Sequence, residues 1–282
     1  MKAIILNLSA WVMLPVMDGF AKYLSSTLPI LQITWSRYFF TVVFVLPIML
    51  VFFRKNLTWT EQPKLQLIRG LLLFCANILF FYSISIISLA KALTLAFIAP
   101  LIVTLLSPIL LGEKVGFRRW AAVIVGFIGS LIVIRPGFVE FNLASFAALG
   151  TGAMYGFYLI VTRKLHNSDN PLLTLLLTGT VGAILGSIIM PTVWVQPTIN
   201  EWYMMFAIGF FASLGHFFLI LSLRYADASK LAPFGYFEIV PNIIIGYFFF
   251  NHFPNQWHFF GLFIIISLGI YIFRREILNI PK

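Results

Sequence analysis

The sequence has few acidic residues, and one of them, Glu238, lies between two prolines in an apolar stretch. Pro233 and Pro241 each lack a backbone N–H, so each leaves a carbonyl one turn earlier without its helical partner. Such loosened backbone requires a protein or polar surrounding. A carboxylate at this position can bind a cationic group, or it can take up and release a proton. We therefore interpret Glu238 as a binding or proton-coupling residue.

Three further ionisable side chains lie inside apolar stretches. Asp18 precedes Lys22 by one helical turn, so the pair either contacts a ligand or closes an ion pair within its own helix. The planar guanidinium of Arg37 suits a carboxylate or phosphate on a ligand, but it could equally bond helix-end carbonyls or Asp18. His216 is either a packing residue or a proton relay. With Glu238, we assign Asp18 and His216 to a candidate proton-coupling set, and Arg37 to ligand binding.

Polar and aromatic side chains in the same runs complete the predicted binding site. They can donate hydrogen bonds or stack on a planar or quaternary group. These residues are Trp35, Asn77, Tyr82, Tyr155, Tyr158 and Tyr236. We predict helix hinges at Pro100, Pro233 and Pro241, because a proline interrupts the helical hydrogen-bond ladder.

The composition defines the elements that must position these residues. Of the 282 residues, 61% are apolar and 10% are charged, with a mean hydropathy of +0.98. A soluble domain is about 45–50% apolar and about 25% charged, so a soluble protein is excluded. The net charge of +10 would point to nucleic acid in a soluble chain. Here the cations fall between apolar runs, which indicates orientation in a membrane and no nucleic-acid partner.

Ten apolar runs are long enough to cross a bilayer, which takes about 20 residues each. The runs cover roughly 3–24, 30–53, 67–88, 92–111, 119–135, 143–162, 172–192, 202–223, 231–250 and 257–273. We therefore predict an all-α integral membrane protein with ten transmembrane helices. Most of the 19 lysines and arginines, Arg69 among them, fall on one side of this topology. The positive-inside rule then places both termini in the cytoplasm.

The two halves of the chain share one pattern. Pro100 and Gly129 in the first half correspond to Pro241 and Gly269 in the second, and Met17–Phe20 resembles Met154–Phe157. Each half holds five runs, an odd number, so the second copy must be inverted relative to the first. We predict two inverted five-helix repeats, residues 1–137 and 138–282. The alternative is a chance coincidence of prolines and glycines, which abound in membrane proteins.

Motifs of other protein classes are missing from the sequence. It contains no G-x-x-x-x-G-K-[ST] loop, no H-E-x-x-H and no G-x-S-x-G. These absences argue against a built-in ATPase and against familiar zinc and serine hydrolases. We expect no enzyme activity, no cofactor and no metal site.

The sequence resembles the EamA-type transporters of the drug/metabolite transporter superfamily over nearly its whole length. The resemblance rests on Met17–Leu24, Gln32–Tyr38, Ala96–Leu101, Leu110–Val115, Arg119–Gly129, Arg135–Gly137, Ala232–Tyr236 and Phe253–Pro254. It implies two inverted five-helix repeats around a central cavity, lined by the first, third, fourth, sixth, eighth and ninth helices. The acid that the family carries after its fourth helix is Glu113, whereas the second-half equivalent, near Asn251 and His252, is not acidic.

These observations predict a secondary transporter, a multi-pass protein of a bacterial inner membrane in contact with the lipid bilayer. Its expected substrate is a small amphipathic, zwitterionic or cationic metabolite that contains nitrogen, with the proton as a candidate coupling ion. The resemblance implies substrates such as amino acids, S-adenosylmethionine or riboflavin. Two alternatives stay open. One is a membrane-embedded enzyme that uses Glu238 and His216 on a lipid-soluble substrate, and the other is a receptor that does not transport.

Overall fold

The computed structural model describes residues 1–134, 142–251 and 256–278, and these residues contain no β-strand. The helices are α1 (Lys2–Leu24), α2 (Ile30–Phe52), α3 (Pro63–Ile86), α4 (Leu89–Ala96), α5 (Ile98–Leu110), α6 (Phe117–Ile134), α7 (Leu143–Lys164), α8 (Pro171–Ile189), α9 (Ile199–Tyr225), α10 (Ala228–Leu231), α11 (Ile239–Phe250) and α12 (Gln256–Leu278). Short 3₁₀ helices cover Arg54–Asn56, Met190–Thr192 and Ala232–Glu238.

These helices form ten passes within the described ranges. α4 and α5 make one broken pass, and α10, the 3₁₀ segment Ala232–Glu238 and α11 make another. Eight passes of the described chain are long and apolar enough to cross a membrane, and α6 and α12 complete the set. The prediction of an all-α protein with ten transmembrane helices is confirmed.

The bundle exposes apolar side chains and buries polar ones, the reverse of a soluble protein. Phe249 is 75% exposed and Ile109 is 74% exposed, whereas Arg37 and Arg69 are almost completely buried. Hydrocarbon solvates apolar side chains but leaves polar groups unsatisfied, so polar groups in a membrane protein must find partners inside the bundle. The buried polar residues therefore mark the positions with chemical roles.

Helices from the two halves of the chain interleave. α1 packs along α9 and also contacts α11, while α3 and α5 both pack against α7. The core is consequently shared, and every central helix has neighbours from the other half. The predicted boundary at residue 137 lies outside the described residues, as do Arg135–Gly137 and His252–Pro254.

Two passes predicted as continuous helices are broken in the structure. The fourth pass is interrupted at Phe97, and the ninth begins with α10 and a 3₁₀ segment. Each break packs closely against a glycine of a neighbouring helix. A Cβ added to Gly152 on α7 would overlap the carbonyl oxygen of Ala96, and one added to Gly126 on α6 would overlap the Tyr236 ring. Glycine at these two positions lets the broken segments approach the bundle core.

Candidate functional site

A cavity of about 900 Å³, the main cavity, lies among α1, α3, α5, α7, α9 and the broken ninth pass. Five of the predicted binding residues line it, namely Asp18, Asn77, Tyr155, His216 and Glu238. The predicted hinge Pro100, the third residue of α5, lines it too. The topology therefore brings together residues that are far apart in the chain.

One face of α1 forms a wall of the main cavity. Asn7, Trp11, Leu14 and Asp18 all line it, and their spacing places them on one side of a helix. The Asn7 Oδ1 accepts from the Trp11 indole at 2.7 Å, and its Nδ2 donates to Ser222 Oγ on α9 at 3.3 Å. Asn7 was not predicted as a site residue, although its helical spacing from Asp18 is a signal that would have found it.

Asp18 presents a carboxylate that no described residue pairs with at close range. Its side chain is buried, and no described residue hydrogen-bonds its Oδ1. The ion pair with Lys22 considered from the sequence is not formed. Lys22 instead donates to the carbonyls of Ile84 at 2.6 Å and Ile87 at 3.1 Å, which ties α1 to the end of α3. The Asp18 carboxylate therefore remains available to the cavity.

Glu238 brings a second carboxylate to the same cavity from the opposite half of the chain. It is the last residue of the 3₁₀ segment, directly before α11. Its backbone carbonyl accepts from Asn242 Nδ2 at 2.9 Å, while no described residue donates to its carboxylate. Two carboxylates that line one cavity repel each other when both are ionised, and a positive group or a proton between them relieves that repulsion.

His216 links the main cavity to a chain of buried hydrogen bonds. Its Nε2 lies 2.6 Å from Arg37 Nη2, and its Nδ1 lies 3.0 Å from the Tyr158 hydroxyl, which also accepts from Arg69 Nη2 at 2.8 Å. Arginine can only donate, so Nε2 must accept and the proton of a neutral imidazole lies on Nδ1. The chain therefore runs from Arg37 through His216 and Tyr158 to Arg69.

Arg69 is a functional candidate that sequence reasoning misplaced. We expected it among the cytoplasmic cations, but the structure buries it completely inside α3. Its other donors reach the Thr162 hydroxyl at 2.8 Å, the Thr174 carbonyl at 3.0 Å and the Thr178 hydroxyl. Its spacing in the sequence could have identified it, because Arg69 is two helical turns before the cavity residue Asn77 and so lies on the same side of α3.

The remaining predicted residues lie away from the main cavity. Arg37 and Tyr158 line a second cavity of about 230 Å³, to which His216 also contributes. Trp35, Tyr82 and Tyr236 line neither cavity. The Trp35 indole donates to Ser187 Oγ at 2.9 Å, and Tyr236 packs edge-on against Phe97 with ring centroids 5.1 Å apart. The predicted hinges Pro233 and Pro241 also line neither cavity, and they lie in the 3₁₀ segment and in α11.

Comparison with known proteins decides the family. The EamA-like transporter family matches the chain twice, over residues 1–135 and 142–275. The chain belongs to the EamA-like transporter family. Matches to both halves of this EamA-like transporter account for the shared sequence pattern.

Named relatives of this EamA-like transporter are similar over nearly their full lengths. The S-adenosylmethionine uptake transporter of Rickettsia bellii (strain RML369-C) is 30% identical over 259 residues, covering 92% of this chain and 89% of that protein. The riboflavin transporter of Vibrio cholerae (strain ATCC 39315) is 27% identical over 276 residues, covering 95% of this chain and 92% of that protein. A solved crystal structure superposes with a TM-score of 0.78 at 18% identity, covering 97% of this chain and 98% of that protein. This similarity shows the fold alone.

The main cavity of this EamA-like transporter extends from the middle of the bundle toward the end where α1 begins, which we call the N-terminal end. On α9 its lining runs from His216 to Leu223, and it continues to Ala228 on α10. At the opposite end of the bundle, α2 is hydrogen-bonded to the segment that follows α8. The Gln32 amide pairs with the backbone of Val195 through bonds of 2.7 and 2.9 Å.

A charged network lies at the N-terminal end of the transporter, where Glu113 and Asp227 lie in loops outside the membrane-spanning segments and Arg163 lies in the last turn of α7. Glu113 accepts from the backbone N–H groups of Ala228 and Ser229, each at 2.9 Å, and from Arg163 Nε at 3.2 Å. Arg163 also pairs with Asp227 at 3.1 Å. Burial raises the pKa of the Glu113 carboxyl, but these hydrogen bonds outweigh burial and hold the pKa below its usual value.

Proposed function

We propose that this protein carries a small organic cation or zwitterion, intact, across a bacterial inner membrane by alternating access. The observation that supports this proposal is the pair of carboxylates, Asp18 and Glu238, that line one cavity and form no ion pair within 4 Å with any described residue. A buried carboxylate requires a compensating positive charge or a proton. The substrate cation, or a coupled proton, would supply that charge.

The walls of the main cavity favour a substrate that also has a planar group. Trp11, Phe80 and Tyr155 line it, and apolar and aromatic walls with a few polar groups are typical of small-molecule sites. S-adenosylmethionine combines a sulfonium and an ammonium with a planar adenine, which matches two carboxylates beside aromatic rings. Riboflavin is planar but carries no cation, so it would leave both carboxylates uncompensated. We therefore propose an S-adenosylmethionine-like cation as the substrate class.

Orientation and movement follow from the same arrangement. We place both termini in the cytoplasm on the distribution of lysine and arginine. The main cavity would then face the cytoplasm, because it lies toward the N-terminal end. We propose Pro100, Pro233 and Pro241 as hinges at the broken passes, where the segments would shift as the cavity closes on one side and opens on the other.

Asp18, Glu238 and His216 are the proposed route for a coupled proton.

Transport by the purified protein in liposomes tests this proposal. Uptake of radiolabelled S-adenosylmethionine, riboflavin, amino acids and quaternary amines would be followed with and without a pH gradient. We expect saturable flux of an intact cation that is lost in Glu238→Gln and Asp18→Asn. Glu61→Gln is the matched control, because Glu61 is exposed on the loop before α3.

The outcomes separate the three functional classes. Mass spectrometry of the transported compound distinguishes a carrier from an enzyme, because a carrier releases its substrate unaltered. Binding without flux would support a receptor instead. Flux that survives both carboxylate variants would overturn the assignment of the site while leaving a carrier. Accumulation driven by the pH gradient would support proton coupling.

A further inference from the structure

The second cavity lies in an unusual charge environment. Arg37 on α2 and Arg69 on α3 are 2% and 0% exposed. The ion pairs of the described residues all lie at the N-terminal end, so neither arginine has a described carboxylate within 4 Å. Burying charge without a counter-charge is strongly unfavourable. Their neighbours Tyr158 and His216 are neutral hydrogen-bonding groups, which satisfy donors without supplying charge. Asp18 acts electrostatically on Arg37 from beyond 4 Å, and one carboxylate balances only one of the two positive charges.

Hydrogen-bond donors remain unused at this cavity. Arg37 uses Nη2 toward His216 and Nε toward Met17 Sδ at 3.4 Å, while no described residue accepts from its Nη1. The Tyr158 oxygen accepts from both Arg69 and His216 Nδ1, so its own hydroxyl proton is free to donate. Arg37 and Tyr158 both line this space, which is small enough to suit a single compact ion, whereas Arg69 reaches it only through Tyr158.

We propose that the second cavity binds a small monovalent anion beside Arg37 and Tyr158, with Arg69 acting from behind the Tyr158 hydroxyl that it hydrogen-bonds. The occupant is either the carboxylate of a transported ligand or a free halide. Both present a compact negative charge that accepts from the Arg37 guanidinium and the Tyr158 hydroxyl. Each would also neutralise part of the buried positive charge.

The position of His216 connects this site to the main cavity. The imidazole lines both spaces and forms part of the wall between them. A zwitterion with its cation near Asp18 could place its carboxylate on the other side of this wall. That source of the anion rests on the proposed function, whereas a free halide does not.

Halide binding without any substrate is the first test. The Tm of the full chain in detergent would be measured while sodium gluconate is replaced by sodium chloride or bromide at constant ionic strength. A bound anion raises Tm in a saturable way, because it stabilises only the folded state. In Arg37→Gln and Arg69→Gln we expect the apparent halide affinity to fall by about tenfold or more, which corresponds to about 1.4 kcal/mol.

Matched variants separate a bound anion from a structural effect. Arg37→Lys keeps the positive charge and should retain much of the response, even if its starting Tm is lower. Arg118→Gln removes an exposed cation at the start of α6 and should leave the response intact. A wild-type Tm that does not respond to halide would overturn the proposal, as would a full response in both Arg37→Gln and Arg69→Gln.

A pair of substrates distinguishes the two sources. S-adenosylmethionine and its decarboxylated analogue share the sulfonium and differ in the carboxylate. If the ligand carboxylate occupies the site, chloride competes only with S-adenosylmethionine, and Arg37→Gln weakens that compound alone. If a free anion occupies it, chloride raises the flux of both. Absence of flux for both compounds, with the halide-dependent Tm intact, would contradict the proposed function and leave the anion site standing.

Discussion

The two broken passes share one backbone design but differ in chemistry. α5 begins at Ile98 and α11 at Ile239, and each has a proline as its third residue. The residue directly before the second helix is Phe97 in one break and Glu238 in the other. The break therefore does not require an acid. Because the backbone device works with phenylalanine, the carboxylate at position 238 is best explained by its access to the cavity.

The same asymmetry separates the first helices of the two halves. Asp18 on α1 corresponds by sequence pattern to Tyr155 on α7, and both line the main cavity. Each half therefore contributes one carboxylate, from a different helix. The two halves are similar in sequence pattern, and different residues at corresponding positions make the site chemically one-sided.

The largest expected effect comes from filling the glycine beside the first break. Gly152→Val would push a branched side chain into the carbonyl of Ala96, and backbone cannot move aside as a side chain can. Overpacking of this kind costs about 3 kcal/mol, and we expect the Tm in detergent to fall by about 10 °C.

The second break should be more tolerant. Gly126→Ala meets the ring of Tyr236, a side chain that can shift, so its Tm should fall less than that of Gly152→Val. Gly269→Ala is the matched control, because nothing lies within 4 Å of its added Cβ. Equal losses for Gly152→Val and Gly269→Ala would show that close packing at the first break is not responsible.

The next effect concerns the acid that distinguishes the two breaks. Glu238→Gln retains shape but removes the charge that we assign to the substrate cation. Loss of a buried charged contact costs about 2 kcal/mol or more, so kcat/KM for a cationic substrate should fall by about 30-fold. Flux in liposomes measures this effect, with Tm as the control for folding. A variant that folds and transports normally would remove Glu238 from the mechanism.

A stability effect of intermediate size is expected at Glu113, which follows the fourth pass. Its depressed pKa means that folding gains from the ionised form. This gain is fully present above the ordinary pKa of 4.5 and is lost as the pH falls through the lower, folded-state value. We expect the wild-type Tm to exceed that of Glu113→Gln by several degrees at pH 7, which corresponds to a difference of about 1–2 kcal/mol in the free energy of unfolding.

The pH profile is the decisive part of that measurement. The gap between the two proteins should begin to narrow below about pH 4.5, where the carboxyl of the unfolded chain becomes protonated, and should close as the pH falls through the lower pKa of the folded-state carboxyl. A gap that is constant from pH 7 to pH 4 would mean that the charge of Glu113 does not stabilise the fold. The second half offers no comparable acid, because Asn251 closes α11 there in a left-handed conformation with φ 52°.

Hydropathy and spacing were sufficient to predict ten helices. The intramembrane acids Asp18 and Glu238, singled out from the sequence, line one cavity in the structure, and their role in binding stays a prediction. The same reasoning failed for Arg69, because charge counting treats a cation near a helix start as a topology signal. It predicted hinges at Pro100, Pro233 and Pro241 but not that the helices would end at residues 97 and 232–238, since a proline three residues into a helix is sterically compatible with an unbroken start. These features depend on contacts between distant helices, such as Arg69 with Tyr158, which no local pattern contains.

The smallest expected effect lies in the prolines themselves, and it again distinguishes the two breaks. Pro241→Ala restores an N–H that can bond the carbonyl of Phe237, so the helix of α11 can extend backward through position 238. Straightening this segment should slow exchange between states, with kcat lowered about threefold, or about 0.6 kcal/mol, and KM unchanged.

Pro100→Ala should have less influence, because the carbonyl that its N–H would reach belongs to Ala96, which is covered by Gly152 on α7. Initial rates over a range of substrate concentrations separate kcat from KM in the two variants. Equal effects of both substitutions would show that the breaks act as equivalent hinges. A larger effect of Pro241→Ala would place the functional movement in the pass that carries Glu238, so that the hinge and the carboxylate belong to the same segment.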